Sequence, residues 1–500
     1  MSETVLNPAR HSNHGPKEHG LKEHGLGERK PNMRLRSGLW IAALCVVTGG
    51  AMAFFYALVS DQAVEIMVAG VGFFALLCIV LAVSGTSRSR NLVFALWWVL
   101  LASEAFFSYM TEDAEGGQIS TGAYSEVMIW VFIIFAFFLY SMKNPQYLRK
   151  IFTGSYKWVA WFGVVCFLSC EYAEQPLFSL GWMVKLFLAI ALLAACNQEI
   201  RNSDDLGAFL TVSQWGFAFL LFMPCLRLLA DPSVLATGRL FDVGTAPTML
   251  AADAGVLVLL SLALLRTDHR GGPLLFAIFG MLVMILAAGK AGIVACIFSG
   301  LIFFVWQGKF KSAIWFLLGL LAAGALLMVL SPGLASYITD YLGTDQAGTV
   351  TGRTEVWSAG WQLIKQHLFL GRGFMSSRFL AYKISVVWQP GHLHNGFLEV
   401  LYNNGLVGLF TMVMMHAVII RNLILVMRKV SLPMAAGCFA VYLNILINGM
   451  VSRAFGSRPD ATFTMLFALV FVSERLLEEI SQTEEKAAPG WSLVPAAAKY

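Results

Sequence analysis

His394-Asn395-Gly396-Phe397-Leu398-Glu399-Val400-Leu401-Tyr402-Asn403-Asn404-Gly405-Leu406-Val407-Gly408 is the stretch on which the reading of the fold turns. A long polar loop ends here and the chain becomes apolar again, so the histidine stands where a loop meets a membrane span. Histidine titrates near neutrality and, held at a membrane surface, can take a proton from a hydroxyl. The loop before it carries Arg353 and Arg372, whose planar forks suit phosphate oxygens.

Outward from this stretch the chain is overwhelmingly apolar. Of 500 residues, 58% are hydrophobic and only 13% charged, with a positive mean hydropathy. Soluble domains of this length need far more polar surface, so the composition specifies many membrane spans. Apolar runs fall at 39–59, 65–84, 92–110, 126–142, 157–171, 177–196, 206–229, 249–265, 273–288, 291–306, 312–330, 398–420, 434–450 and 460–474. Each must be helical, because only a helix satisfies its own backbone in lipid. The expected fold is an all-α polytopic integral membrane protein of about fourteen transmembrane helices, or about eleven if the short runs fail to span. Residues 1–38 read as a disordered cytoplasmic leader and 39–230 as N-terminal transmembrane helices. A second transmembrane region, 231–475, contains one large periplasmic loop at 331–397, and 476–500 form a cytoplasmic tail. The first run follows a polar leader and reads as a span rather than the core of a signal peptide.

Lys and Arg set the orientation. Arg29, Lys30, Arg34 and Arg36 precede the first run, which places the N-terminus in the cytoplasm, and alternate loops carry Arg88/Arg90, Lys143/Arg149/Lys150, Arg201, Arg266/Arg270, Lys309/Lys311 and Arg421/Arg428/Lys429. The intervening loops of the first half hold acidic residues instead. In the second half the outer loops break this rule with Arg239, Lys290, the cations of 331–397, and Arg453 and Arg458. Cations on the translocated side oppose insertion bias, and an anionic ligand at the outer face accounts for them; long loops that cross regardless of charge account for only some. All eight cysteines lie in or beside apolar runs, which argues against a disulfide framework or a Cys-x-x-Cys metal site.

The loop opens Thr351-Gly352-Arg353-Thr354-Glu355-Val356-Trp357 and continues with apolar positions at Trp361, Leu363, Ile364 and Leu368, compatible with a helix on the bilayer surface. Leu370-Gly371-Arg372-Gly373-Phe374 then supplies a tight turn. His394-Asn395 followed by Gly405-x-x-Gly408, together with Gly352-Arg353, Trp357 and Leu370-Gly371-x-Gly373-Phe374, resembles the signature of the O-antigen ligase and polysaccharide polymerase superfamily. Gly238-Arg239-Leu240 through Pro247 is similar to the family's earlier outer loop, which carries a functional arginine. Ala288-Gly289-Lys290-Ala291-Gly292 occupies the place of a Ser-x-Ser-Arg/Lys turn but lacks its serines. The first 230 residues match only in being membrane spans.

The resemblance implies a GT-C-like glycosyltransferase of the bacterial inner membrane, without cofactor or metal, acting with inversion. It would take a glycan from a polyprenyl diphosphate carrier at the periplasmic face and pass it to a sugar hydroxyl on a glycan or lipid-linked acceptor. His394 would be the general base, with Arg239 and Arg353 on the departing diphosphate. Lys290, Arg372, Asn395 and Glu399 would contact substrate. The lipid bilayer and a chain-length regulator are the implied partners; nucleic acid is not. Bland alternatives remain at several positions: His394 could bond a loop carbonyl, Arg239 could pair with Asp242, and Lys290 could be a snorkelling anchor. A polytopic transporter or flippase of lipid-linked glycans would also carry cationic loops, but it would place more charges near mid-span. Between ligase and polymerase, the additional N-terminal spans and the lack of a further soluble domain favour a polymerase.

Overall fold

In the computed structural model the described residues are 89–104, 121–230, 240, 246–265, 271–330, 353–383, 392–429, 433–452, 454–456 and 458–487. The chain divides into units Met1–Cys45 and Val46–Tyr500, and every described residue belongs to the second. The expected leader, the runs at 39–59 and 65–84, Arg239 with most of its loop, 331–352 and 384–391 of the large loop, Arg453, and 488–500 of the expected tail therefore lie outside the described residues.

Every expected run from 92–110 onward carries a helix. These are α1 (Ser89–Ser103), α2 (Thr121–Lys143), α3 (Lys157–Ser169), α4 (Pro176–Glu199), α5 (Ser203–Ala230), α6 (Pro247–Leu264), α7 (Gly271–Leu286), α8 (Lys290–Trp306) and α9 (Phe310–Leu330). Then follow α10 (Arg353–Gln366), α11 (Gly396–Lys429), α12 (Pro433–Val451) and α13 (Ala461–Ala487). No strand occurs among the described residues. Among the described residues, five helices are long and apolar enough to cross a membrane: α4, Ser203–Leu226 of α5, α6, α11 and α12. Apolar helices on α1, α2, α7, α8 and α9 are shorter.

α6 is the centre of the bundle. It is apolar all round, so it must be surrounded by protein or lipid, and Met249 through Leu264 are buried without exception. It packs against α5, α7, α8 and α12. Small residues let the backbones close in, as is usual where no hydrophobic drive separates helix from lipid. An added Cβ at Gly292 of α8 would lie 2.7 Å from Ala251, and one at Gly437 of α12 would lie 2.2 Å from Ala263.

The expected span 398–420 is the one whose form differs most. α11 begins at Gly396, covers 34 residues and is broken at Gly405, whose φ of 64° and ψ of −163° are not helical. A continuous helix would join the Leu406 amide to the Tyr402 carbonyl and the Val407 amide to the Asn403 carbonyl. Both bonds are exchanged with the loop: Leu406 donates to Leu368 O at 2.8 Å and Val407 to Phe369 O at 3.4 Å, while Arg372 and Gly373 donate to Tyr402 O and Asn403 O, each at 2.8 Å. The four backbone groups released by the break are thereby paired, as an apolar surrounding requires. The glycines of Leu370-Gly371-x-Gly373 and Gly405 serve this exchange. The first part of the expected tail, 476–487, continues α13.

Candidate functional site

Asn395 starts α11 as its N-cap. Its Oδ1 accepts from the Phe397 and Leu398 amides at 3.0 and 3.1 Å, and its Nδ2 donates to Met450 O at 2.9 Å. These bonds satisfy two of the first-turn amides that a helix leaves open. Asn395→Ala is expected to cost about 1 kcal/mol and to lower the midpoint of heat-induced aggregation of the detergent-solubilised protein. Asn395→Asp keeps the capping oxygen and should fall less.

Immediately before the cap, His394 has a φ of 52°, a left-handed conformation that non-glycine residues seldom adopt. Its amide donates to His392 Nδ1 at 3.1 Å, and the two rings lie 3.7 Å apart between centroids. Between them, Leu393 is fully buried and its amide donates to Glu399 Oε1 at 2.6 Å. Glu399, also fully buried, sits in the first turn of α11, where the helix dipole favours an anion.

The loop reaches the same place from the other side. α10 buries Val356, Gly360 and Ile364, one face at helical spacing, and packs through Val356 and Ile364 against Leu393, Leu401 and Tyr402. Trp357 Nε1 donates to Leu393 O at 2.7 Å. So α10 rests on the histidine turn, and Trp361 stays 43% exposed. Arg353 is the first residue of this helix, and burial lowers its pKa from the usual guanidinium value. Arg372 donates to Gln366 Oε1 at 2.6 Å and lies 5.9 Å over the Tyr402 ring; its Nε is buried with no hydrogen-bond partner among the described residues.

A second group forms around Lys290. The turn between α7 and α8 has a left-handed Ala288, and Lys290 is the exposed first residue of α8. An added Cβ at Gly289 would lie 3.0 Å from Pro247 O and 2.4 Å from Ala251. Leu240, the neighbour of Arg239 in the chain, donates its amide to Leu286 O at 2.8 Å. The Leu240 and Lys290 segments are thereby joined, while Arg239 itself lies outside the described residues.

Several participants escaped the sequence reading. The turn from Ser169 to Ser179 seats the second half of the loop: Ser169 Oγ accepts from the Phe374 amide at 3.0 Å and from Asn404 Nδ2 at 2.9 Å, and Ser179 Oγ donates to Phe374 O at 2.6 Å. Tyr172 donates to Leu370 O at 2.8 Å, and Lys383 pairs with Glu174. Beside α11, Asn403 donates to Gly456 O at 3.2 Å and its Oδ1 accepts from the Ser377 amide at 2.8 Å. Further in, Lys185 of α4 is 1% exposed, pairs with Glu104 and feels the charges of Arg458 and Asp460. Asp253 of α6, an acid the sequence already shows inside the apolar run 249–265, accepts from Thr462. A lysine inside the apolar run 177–196 was the available signal, since ionisable groups within spans are there for a reason.

These features belong to a helical membrane protein in which, among the described residues, a strained histidine turn is gripped between a broken helix and an arginine-bearing loop. Residues 255–413 match the family model described as O-antigen ligase (Wzy_C), and that match supports the O-antigen ligase/Wzy superfamily for this chain. The matched segment contains Lys290, Arg353, Arg372, His394, Asn395 and Glu399; Arg239 precedes it. No curated protein matches the chain.

Proposed function

We propose that the protein is a glycosyltransferase of the bacterial inner membrane that moves a glycan from a polyprenyl diphosphate carrier to a sugar hydroxyl at the periplasmic face. The observation that carries this reading is the histidine turn itself: His394 is held in a left-handed backbone conformation, inside the segment matched to the O-antigen ligase family. Strain of this kind persists only where the surroundings enforce it, and it clusters at working sites.

His394 takes the acceptor hydroxyl proton as the oxygen bonds to the anomeric carbon. The bond from that carbon to the diphosphate breaks, and its electron pair leaves with the polyprenyl diphosphate. A diphosphate departs without protonation, so cations suffice on that side, each worth about 10²–10³-fold when preorganised. Arg239 and Arg353 are assigned to the diphosphate with Lys290 and Arg372 assisting. Asn395 and Glu399, placed with the substrate contacts by the resemblance, also hold the turn through the bonds described above. A polymerase, paired with a chain-length regulator, is favoured over a ligase by the spans before the matched segment.

A second reading, a transporter of lipid-linked glycans, draws on the buried Lys185 and Asp253 and the part-buried Glu104 that pairs with Lys185. Polysaccharide from a strain lacking this gene separates the readings. Single repeat units on the cell surface without long chains mark a polymerase, and long chains retained on polyprenyl diphosphate mark a ligase. Glycan held at the cytoplasmic face marks the transporter and overturns the proposal. Complementation with Arg353→Ala is expected to lower donor use by about 10²-fold, with Arg353→Lys intermediate; donor consumption equal to wild type removes Arg353 from the diphosphate.

A further inference from the structure

We infer that His392 and Glu399 form a support that fixes the position of His394, an assignment that rests on His394 being the proton acceptor proposed above.

The left-handed turn has to be held from both sides. On the C-terminal side the Asn395 cap does this. On the N-terminal side the holding contact is the His394 amide on His392 Nδ1, at 3.1 Å with the rings 3.7 Å apart. For Nδ1 to accept that bond, the neutral His392 ring must carry its proton on Nε2. Glu399 lies beneath the turn: its Oε1 takes the Leu393 amide at 2.6 Å and stands 3.8 Å from His392 Nδ1. A buried carboxylate at the start of α11 therefore pins the middle residue while the imidazole pins the last. Both contacts act on backbone amides, so neither residue needs to touch substrate. What they fix is the φ of 52° at His394, and with it the direction in which the His394 ring is presented.

The geometry specifies which atom of His392 matters. Asparagine can place Oδ1 where Nδ1 lies and still accept the His394 amide; phenylalanine keeps the ring volume and cannot accept. Right-side-out membrane vesicles from a strain lacking the gene supply the assay, using the host's own polyprenyl diphosphate-linked glycan as donor. Donor consumption is measured per inserted protein.

His392→Phe is expected to lose about 10-fold or more, the scale of a misplaced catalytic group, while His392→Asn stays within about threefold of wild type because the bond survives. On a His394→Asn background, His392→Phe should add less than about a twofold further loss, because residues that act through one another are not additive. Three results overturn the support: His392→Phe as active as wild type, His392→Asn as impaired as His392→Phe, or losses that multiply in the double variant. Failure of the underlying reading looks different, since His394→Asn alone would then consume donor at the wild-type rate.

Discussion

Replacing His394 by asparagine is expected to lower glycan transfer by about 10²–10⁴-fold, the usual contribution of a positioned general base, while insertion into the membrane and the amount of protein stay at wild-type levels. Asparagine is the informative substitution because it tolerates the left-handed backbone that His394 occupies, whereas alanine tolerates it less well. It keeps the amide that His392 accepts and keeps the Asn395 cap undisturbed. What it removes is the basic nitrogen. His394→Ala should be at least as damaging, and the excess over asparagine reports the backbone cost. The measurement is the rate at which vesicles transfer glycan from the polyprenyl diphosphate donor, normalised to inserted protein. Transfer by His394→Asn within a few-fold of wild type would take histidine out of the chemistry and leave the turn as a purely structural device.

Hydropathy made the helices legible because membrane spans need nothing more than length and apolar content. The amphipathic character of α10 was equally visible, although the face expected to lie on the bilayer surface packs against Leu393 and Tyr402. The cap at Asn395 went unread, because the motif assigned that residue to substrate, although an asparagine before an apolar run is an ordinary helix start. The break in α11 was not legible. Nothing in 398–420 announces that two of its backbone bonds are exchanged with 368–373, because that pairing depends on residues some thirty positions away. The seat at Ser169–Ser179 was hidden for the same reason: it belongs to a part of the chain whose resemblance to the family is only that of membrane spans. Lys185 is a different kind of omission. Its charge was in plain view, and the rule that charges sit at span ends passed over it.

Gly405→Ala is expected to uncouple the site from the bundle. At φ 64° and ψ −163° the residue occupies a region that is essentially glycine's alone, and an alanine there is strained by about 1–3 kcal/mol before any contact is considered. Contact makes it worse, because the added Cβ would fall 2.2 Å from Phe369 O and 2.6 Å from the Gly371 nitrogen. Both are backbone atoms of the loop that completes the break, so relief requires the loop to retreat from α11. Retreat lengthens the four exchanged bonds between 368–373 and 402–407 together. The short helical segment from Gly396 to Asn404, which carries the Asn395 cap and Glu399, then loses its anchor at one end. Displacement of a catalytic group by about 1 Å costs about 10²-fold, and that is the expected loss of transfer. The midpoint of heat-induced aggregation of the solubilised protein should fall in parallel. Leu406→Ala is the matched control: Leu406 is 38% exposed and takes part in the exchange only through its backbone amide, so transfer should be retained. If Gly405→Ala transfers glycan like wild type, the break does not position the histidine turn, and the loop and the short helical segment are held by the α10 packing and the Ser169–Ser179 seat alone.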